Sequence, residues 1–322
     1  MRRTRLPAAD AAAPRWKQPH GLHGQPDVLD AVALAGLDID ALVAELVVDP
    51  ATVSVLLVGS LAEGLGTAAS DVDLLLLADS PAEQRTGGVA ADDVVHRDAA
   101  TVEYRRFDYG LEINPEVAFR SEMRPIVGAF LELAPLLYQP EVPVRFPRLT
   151  PRQLRMLHRL RTGVVWRGPE QVELWRDELY TQLLASYLTL LHVDELDRTY
   201  EQAVALSDTP DRSPTTRAMA RRRAGEAALL AGLASVGVTN PSLIAGVELA
   251  SRVDDPDVRP LLDLALQSMF APPAPADAAD ESVSLTQLGA LRDAVDARVA
   301  ALGLDRARVA LASRAPVLLP SI

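Results

Sequence analysis

Asp71 and Asp73 open the run Asp-Val-Asp-Leu-Leu-Leu-Leu, which is otherwise apolar. Successive side chains on a strand point to opposite faces, so the two carboxylates share one face and Val72 and Leu74 take the other. At the usual rise they stand about 7 Å apart, close enough to grip hard divalent cations from one side. Two unpaired carboxylates at the start of a buried strand are costly to desolvate, which argues against a chance Asp-x-Asp. Upstream, a second apolar run ends at Gly59-Ser60. A helix starting there presents unpaired backbone N–H groups, Ser60 adds a hydroxyl, and Gly59 lets a phosphate come close to the backbone. Taken alone, Gly59-Ser60 also reads as a plain strand–helix turn with Ser60 as N-cap; the two aspartates tip the reading toward phosphate and metal chemistry.

The elements that must carry these residues follow from periodicity. Val28, Leu29, Val32, Ile39, Leu42, Val43, Leu46 and Val47 recur at helical spacing, broken at Gly36 and stopped by Asp49-Pro50. Residues 53–58 form a nearly continuous apolar run, as in a central strand covered on both faces. The pattern predicts a short helix over 61–65, a loop over 66–70, a strand over 71–77, helix then turn over 81–93, and a short strand over 94–97. Two alternating runs within 101–119 flank Asp108-Tyr109-Gly110, a plausible hairpin loop. In the second run Glu112, Asn114 and Glu116 share one face, and Pro115 removes a ladder donor, which predicts an edge strand or a strand end.

Pro140, Pro143, Pro147 and Pro151 mark a linker. Beyond it helices are predicted over 151–165, which Thr150-Pro151 starts, and then over 171–194, 195–206, 214–236, 241–251, 256–270 and 284–302. The expected organisation is a flexible arm at 1–26, a catalytic-type domain at 27–137, a linker at 138–150 and a helical domain at 151–322. The fold class is α+β: a mixed β-sheet with flanking helices, followed by an all-α bundle.

The segment Gly59-Ser60, ten residues, then Asp71-Val72-Asp73-Leu74 resembles the signature of the DNA polymerase beta-like nucleotidyltransferase superfamily. Gly64, and Ser70 before the first aspartate, are similar to its small bacterial members. Strict resemblance covers about 25 residues, 53–77. It implies that Asp71 and Asp73 hold metal, that two Mg²⁺ ions serve as cofactors, and that Gly59, Ser60 and Ser70 line a nucleoside triphosphate, with ATP the expected substrate. It also calls for a third acidic residue on a later strand. Leu111-Glu112-Ile113 fits that place, Val102-Glu103-Tyr104 fits almost as well, and Glu116 remains open. A glutamate there serves as base in aminoglycoside-modifying relatives, which puts Glu112 first. The second half resembles, more faintly, the helical domains of those enzymes, through Leu157-His-Arg-Leu-Arg-Thr-Gly163 and through 220–233 with Gly237-Val-Thr-Asn-Pro241.

Composition narrows the acceptor. The chain has 322 residues and a net charge of −12, which argues against a nucleic-acid acceptor, since phosphate contacts dominate such binding. Lys17 is the sole lysine among 32 basic residues, so arginine must meet the triphosphate. Arg105, Arg106, Arg120, Arg124, Arg155, Arg159 and Arg161 are the candidates. Arg152 and His158 carry the residue types of an arginine–histidine ribonuclease site, without its polar context. With no cysteine, no membrane-length apolar run and no secretory leader pattern at the basic start, a cytoplasmic location is expected.

The expected activity is metal-dependent transfer of a nucleoside monophosphate, AMP from ATP, to a hydroxyl of a small molecule such as an aminoglycoside-like antibiotic. A protein-nucleotidylating antitoxin-type enzyme and a degenerate nucleotide-binding regulator are the alternatives. A homodimer stays open.

Overall fold

The computed structural model describes residues 38–66, 70–80, 94–97, 101–108, 111–137, 143–146, 148–168, 170, 172–173, 176, 181–207, 214–270, 278–304 and 309–311. The arm at 1–26, with His20 and His23, the helix expected at 81–93, the tip Tyr109-Gly110, Trp175 and Tyr180 lie outside the described residues.

The first half builds a mixed sheet. Helix α1 (Ile39–Leu46) starts at Asp38, whose carboxylate accepts from Ala41 N–H, and a short 3-10 turn (Pro50–Thr52) leads into β1 (Ser54–Val58). A four-residue turn of helix, α2 (Gly59–Ala62), precedes β2 (Val72–Ala78). Strands β3 (Val94–Arg97), β4 (Thr101–Tyr104), β5 (Arg106–Asp108) and β6 (Leu111–Phe119) follow, then helix α3 (Arg120–Leu137). After a short strand β7 (Val144–Phe146) comes α4 (Pro151–Thr162), closed by a capping box between Thr150 and Gln153. The chain then returns as β8 (Val164–Arg167).

The strand order β3-β4-β6-β2-β1-β8, with β5 also on β6, makes a seven-stranded sheet in which β2 and β6 run parallel and the other pairs antiparallel. Two expectations change. The helix expected to reach 165 stops at Thr162, and Val164 and Val165 join the sheet beside β1. Gly163 makes the turn possible, because a Cβ there would meet Val58 Cγ1 at 2.9 Å. Pro115 does not end a strand; it sits inside the nine-residue β6, against Leu74. On the antiparallel side it falls opposite Tyr104, between the Glu103–Glu116 and Arg106–Ile113 pairs, where the ladder passes from β4 to β5 and is already interrupted.

Helices α5 (Thr181–Ser207), α6 (Pro214–Ser235), α7 (Leu243–Arg252), α8 (Arg259–Phe270) and α9 (Ala278–Ala301) make up most of the second half. The region expected as two helices, 171–194 and 195–206, is one helix from Thr181 onward. Within the expected linker β7 pairs in parallel with β9 (Val309–Leu311), near the end of the chain.

The central strands β1 and β2 are buried on both faces, which explains why they read as unbroken apolar runs. Val55, Leu57, Val72, Leu74, Leu76, Ile113 and Val117 pack with α1. On the opposite face Leu56, Val58, Leu75, Leu77 and Ala118 merge into the core of the helical half. Asp73 alternates onto this second face, beneath α4.

Candidate active site

The site forms where β1, β2 and β6 end beside α2. Asp73 lies between Val58 on β1 and Asn114 on β6, its register partners on either side. Paired residues share a face, so Asp73, Asn114, Glu116 and Glu103, the partner of Glu116 on β4, line one surface. Asp71, just before the strand, accepts a 2.6 Å hydrogen bond from Asn114 Nδ2.

Gly59 shows a demand that its type alone did not reveal. Its φ is +76°, and an added Cβ would stand 2.0 Å from Asp73 Oδ2. The space a side chain would fill is occupied by the metal-type carboxylate itself. Ser60 follows within the first turn of α2; Val58 holds the N-cap position without a side-chain bond, so Ser60 is not the cap. Ser70 is half-buried directly before Asp71.

Helix α4 brings cations to the carboxylates. Arg152 and Arg159 are two turns apart and project from one side of the helix. Arg159 donates from Nη1 to Glu116 Oε2 at 2.7 Å and from Nη2 to Asp73 Oδ1 at 3.2 Å. Arg152 donates to Thr101 Oγ1 at 2.6 Å, Glu116 Oε1 at 3.1 Å and Glu103 Oε2 at 3.2 Å. Glu116 is 1% exposed, so its two oxygens are each answered by an arginine, as a buried charge requires. Burial pushes the Asp73 carboxyl up to about 6; Arg159 pulls it down, and Asp71, Glu103 and Glu116 push it up again.

The candidates for a third carboxylate therefore occupy different places. Glu103 and Glu116 stand near Asp73 and are paired with arginines of α4. Glu112 lies on the same β6 face, nearer the strand start, one-third exposed and 2.9 Å from Arg105 Nε. Among the described residues no three His, Cys, Asp or Glu side chains converge into a metal-holding group. A divalent ion does fit the donor chemistry of Asp71 and Asp73: their hard carboxylate oxygens lie at one sheet end on either side of Asn114, and Gly59 leaves room for the Asp73 carboxylate.

A second polar cluster fastens the Gly59-Ser60 turn to the helical half. Glu63, just after α2, accepts from Asn240 Nδ2 at 2.7 Å and is 2.9 Å from His158 Nε2. His158 Nδ1 is 3.0 Å from Thr239 Oγ1, which also accepts from Arg161 at 2.9 Å. Burial raises the Glu63 carboxyl, but the hydrogen bonds and charge of His158, then Asn240 and Arg159, outweigh it and hold the group below its ordinary range. Arg252 adds a 3.2 Å bond to Gly64 O.

Of the arginines singled out for phosphate, Arg159 reaches the carboxylates. Arg105 pairs with Glu112, Arg106 with Glu45, Arg120 with Asp79, and Arg161 with Thr239. Arg124 is exposed. The ribonuclease-like residues are committed elsewhere, Arg152 to Glu103 and Glu116 and His158 to Glu63. Trp166 packs against the core under α1. Sequence reasoning gave no site role to Glu63, Asn114 or Asn240; of these only Asn114 carried a signal, through its shared face with Glu112 and Glu116.

Residues 34–132 match the family described as the nucleotidyltransferase domain, in keeping with the resemblance of Gly59-Ser60 and Asp71-Val72-Asp73 to the DNA polymerase beta-like superfamily. No curated protein sequence matches the chain significantly. Among solved structures, the chain is similar to a nucleotidyltransferase-like protein from Exiguobacterium sibiricum, at 13% identity and a TM-score of 0.42, over 85% of this chain and 76% of the other.

Proposed function

We propose that the protein is a metal-dependent nucleotidyltransferase that moves a nucleoside monophosphate, AMP from ATP, to a hydroxyl of a small molecule. The observation that carries this reading is that Asp71 and Asp73 lie at one sheet end, with the Asp73 carboxylate in the space a Gly59 Cβ would fill and bonded to the guanidinium of Arg159. Asp71 and Asp73 would hold Mg²⁺, the Gly59-Ser60 turn and Ser70 would line the triphosphate, and Arg159 would meet its charge. Divalent ions held by Asp71 and Asp73 would supply charge stabilisation for the entering and leaving oxygens of an in-line displacement. In the transfer the acceptor oxygen forms a bond to the α-phosphorus, the bond from that phosphorus to the bridging oxygen breaks, and pyrophosphate leaves. The hydroxyl proton passes to a carboxylate, for which Glu112 is the candidate, being paired with an arginine like Glu103 and Glu116 but more exposed than either. The net charge of −12 favours a cationic acceptor, and an aminoglycoside-like compound fits that chemistry by analogy with the superfamily. A cytoplasmic location accords with the absence of cysteine; among the described residues no helix is long and apolar enough to cross a membrane.

One observation favours a second reading. Each candidate third carboxylate is engaged by an arginine, an arrangement that also suits a regulator that binds nucleotide without turnover. Incubation with labelled ATP, Mg²⁺ and a panel of aminoglycosides separates the readings. Labelled antibiotic supports small-molecule transfer, a labelled protein band supports an antitoxin-type enzyme, and metal-dependent binding without any labelled product supports the regulator. Asp71→Asn combined with Asp73→Asn is expected to abolish transfer with the fold intact by circular dichroism. Retained transfer would place the site elsewhere.

A further inference from the structure

Arg159 is held unequally by its two carboxylates. The bond to Glu116 is short, 2.7 Å, and its acceptor is 1% exposed; the bond to Asp73 is 3.2 Å, at the edge of the site. The helix that carries Arg159 cannot easily withdraw. The capping box closes its start, Arg152 is bound to Glu103 and Glu116, and the adjacent His158 is fastened to Glu63 and Thr239. A cation is therefore built into the site on a fixed base, with one arm on the carboxylate that a metal would need.

We propose that Arg159 is an exchangeable counter-ion: it neutralises Asp73 in the nucleotide-free protein and transfers Nη2 to a phosphate oxygen of the bound nucleotide. This rests on the nucleotidyltransferase reading above and assigns the site a regulation of its own. The guanidinium fork allows the exchange, because Nη1 stays on Glu116 while Nη2 changes partner, a geometry a lysine cannot reproduce. No covalent bond changes. The consequence is coupling. A divalent cation arriving alone must compete with Arg159 for Asp73, which weakens its binding. A cation arriving with a triphosphate offers Arg159 a new anion, so the charge released from Asp73 is not left unpaired. The site thus selects the metal–nucleotide complex over free metal, and the metal and nucleotide strengthen each other reciprocally.

Titration calorimetry with Mn²⁺ alone, and with Mn²⁺ plus a non-hydrolysable ATP analogue, tests this on the full chain. In the wild type the analogue is expected to tighten Mn²⁺ binding by at least roughly tenfold, the order of a charge-assisted hydrogen bond. In Arg159→Gln, Mn²⁺ alone should bind roughly tenfold tighter and the analogue roughly tenfold weaker, two changes of opposite sign that general damage would not produce. Arg159→Lys keeps a positive charge for the buried Glu116 if the glutamine variant fails to fold, and is expected to tighten Mn²⁺ alone in the same way. If the wild type binds the analogue but shows no coupling, or if the variants weaken both ligands together, the exchange is overturned and the nucleotidyltransferase reading stands. If the wild type binds no analogue with any metal, both fall.

Discussion

At the scale of single residues, Asp73 and Gly59 are fitted to each other. The Gly59 backbone is left-handed and its missing Cβ leaves room for the Asp73 carboxylate. Gly59→Ala is expected to cost on the order of 1–3 kcal/mol from the strained φ, with a further displacement of Asp73. A thermal melt and nucleotide titration would register both losses. Asp73 also carries a cost of its own. Its folded-state value of about 6 lies above the ordinary 3.8, so the folded chain binds this proton more tightly than the unfolded one. Stability from this group is therefore present at low pH and declines as pH rises through that interval. In chelator-treated buffer, Asp73→Asn should raise stability at pH 7.5, by on the order of 1–3 kcal/mol, and the gain should vanish near about pH 4. A variant less stable than wild type at pH 7.5 would show that the Arg159 pair outweighs the burial. A site that keeps an expensive carboxylate against its own stability is a common sign of function.

At the scale of elements, α4 organises the site although it lies outside the matched segment 34–132. Its arginines answer the sheet carboxylates, and His158 reaches the turn that follows Gly59-Ser60. The Glu63 carboxyl sits below its ordinary value in the fold, so its contribution is present at neutral pH and is lost as pH falls from about 4.5 through the lowered value. Glu63→Gln should cost about 1–3 kcal/mol at pH 7, shrinking in acid, because His158 and Asn240 lose a charged buried acceptor. Chemical denaturation across pH checks the slope. If the loss is the same at every pH, packing rather than charge explains the contact. The sequence showed the Thr150-Pro151 start of α4, ran the helix past Gly163 to 165, and named Arg159 among many arginines. It did not show which arginine meets Asp73, because that depends on how α4 docks on the sheet.

At the scale of the molecule, the sheet cannot be completed by the first half. Strand β8 comes after α4, pairs with β1, and brings Gly168 against Ser54. The face bearing Leu56, Val58, Leu75, Leu77 and Ala118 is covered by the helical half. A fragment ending at Leu137 is expected to lose both the β1 partner and this cover, exposing apolar surface and an unpaired edge. Size-exclusion chromatography of the fragment should show aggregation rather than a folded monomer. A monomeric, cooperatively melting fragment would mean that the sheet is an independent unit.

What the sequence by itself determined is the local part. The strand–helix turn at Gly59-Ser60, the Asp-x-Asp pattern at the start of β2, the continuous apolar strands and the Thr150-Pro151 helix start depend on residues close together in the chain, where period and backbone preference decide. Tertiary structure decided the remainder. The parallel pairing of β2 with β6 sets Asn114 beside Asp73, and the approach of Glu116, Arg152 and Arg159 depends on docking across long separations. Glu112, Glu103 and Glu116 alternate correctly on their strands in any register; only the register and the arginines above them distinguish their surroundings. Charges that meet through packing leave no spacing signal, and that is why the Asp-x-Asp pattern was legible and the arginine that meets Asp73 was not.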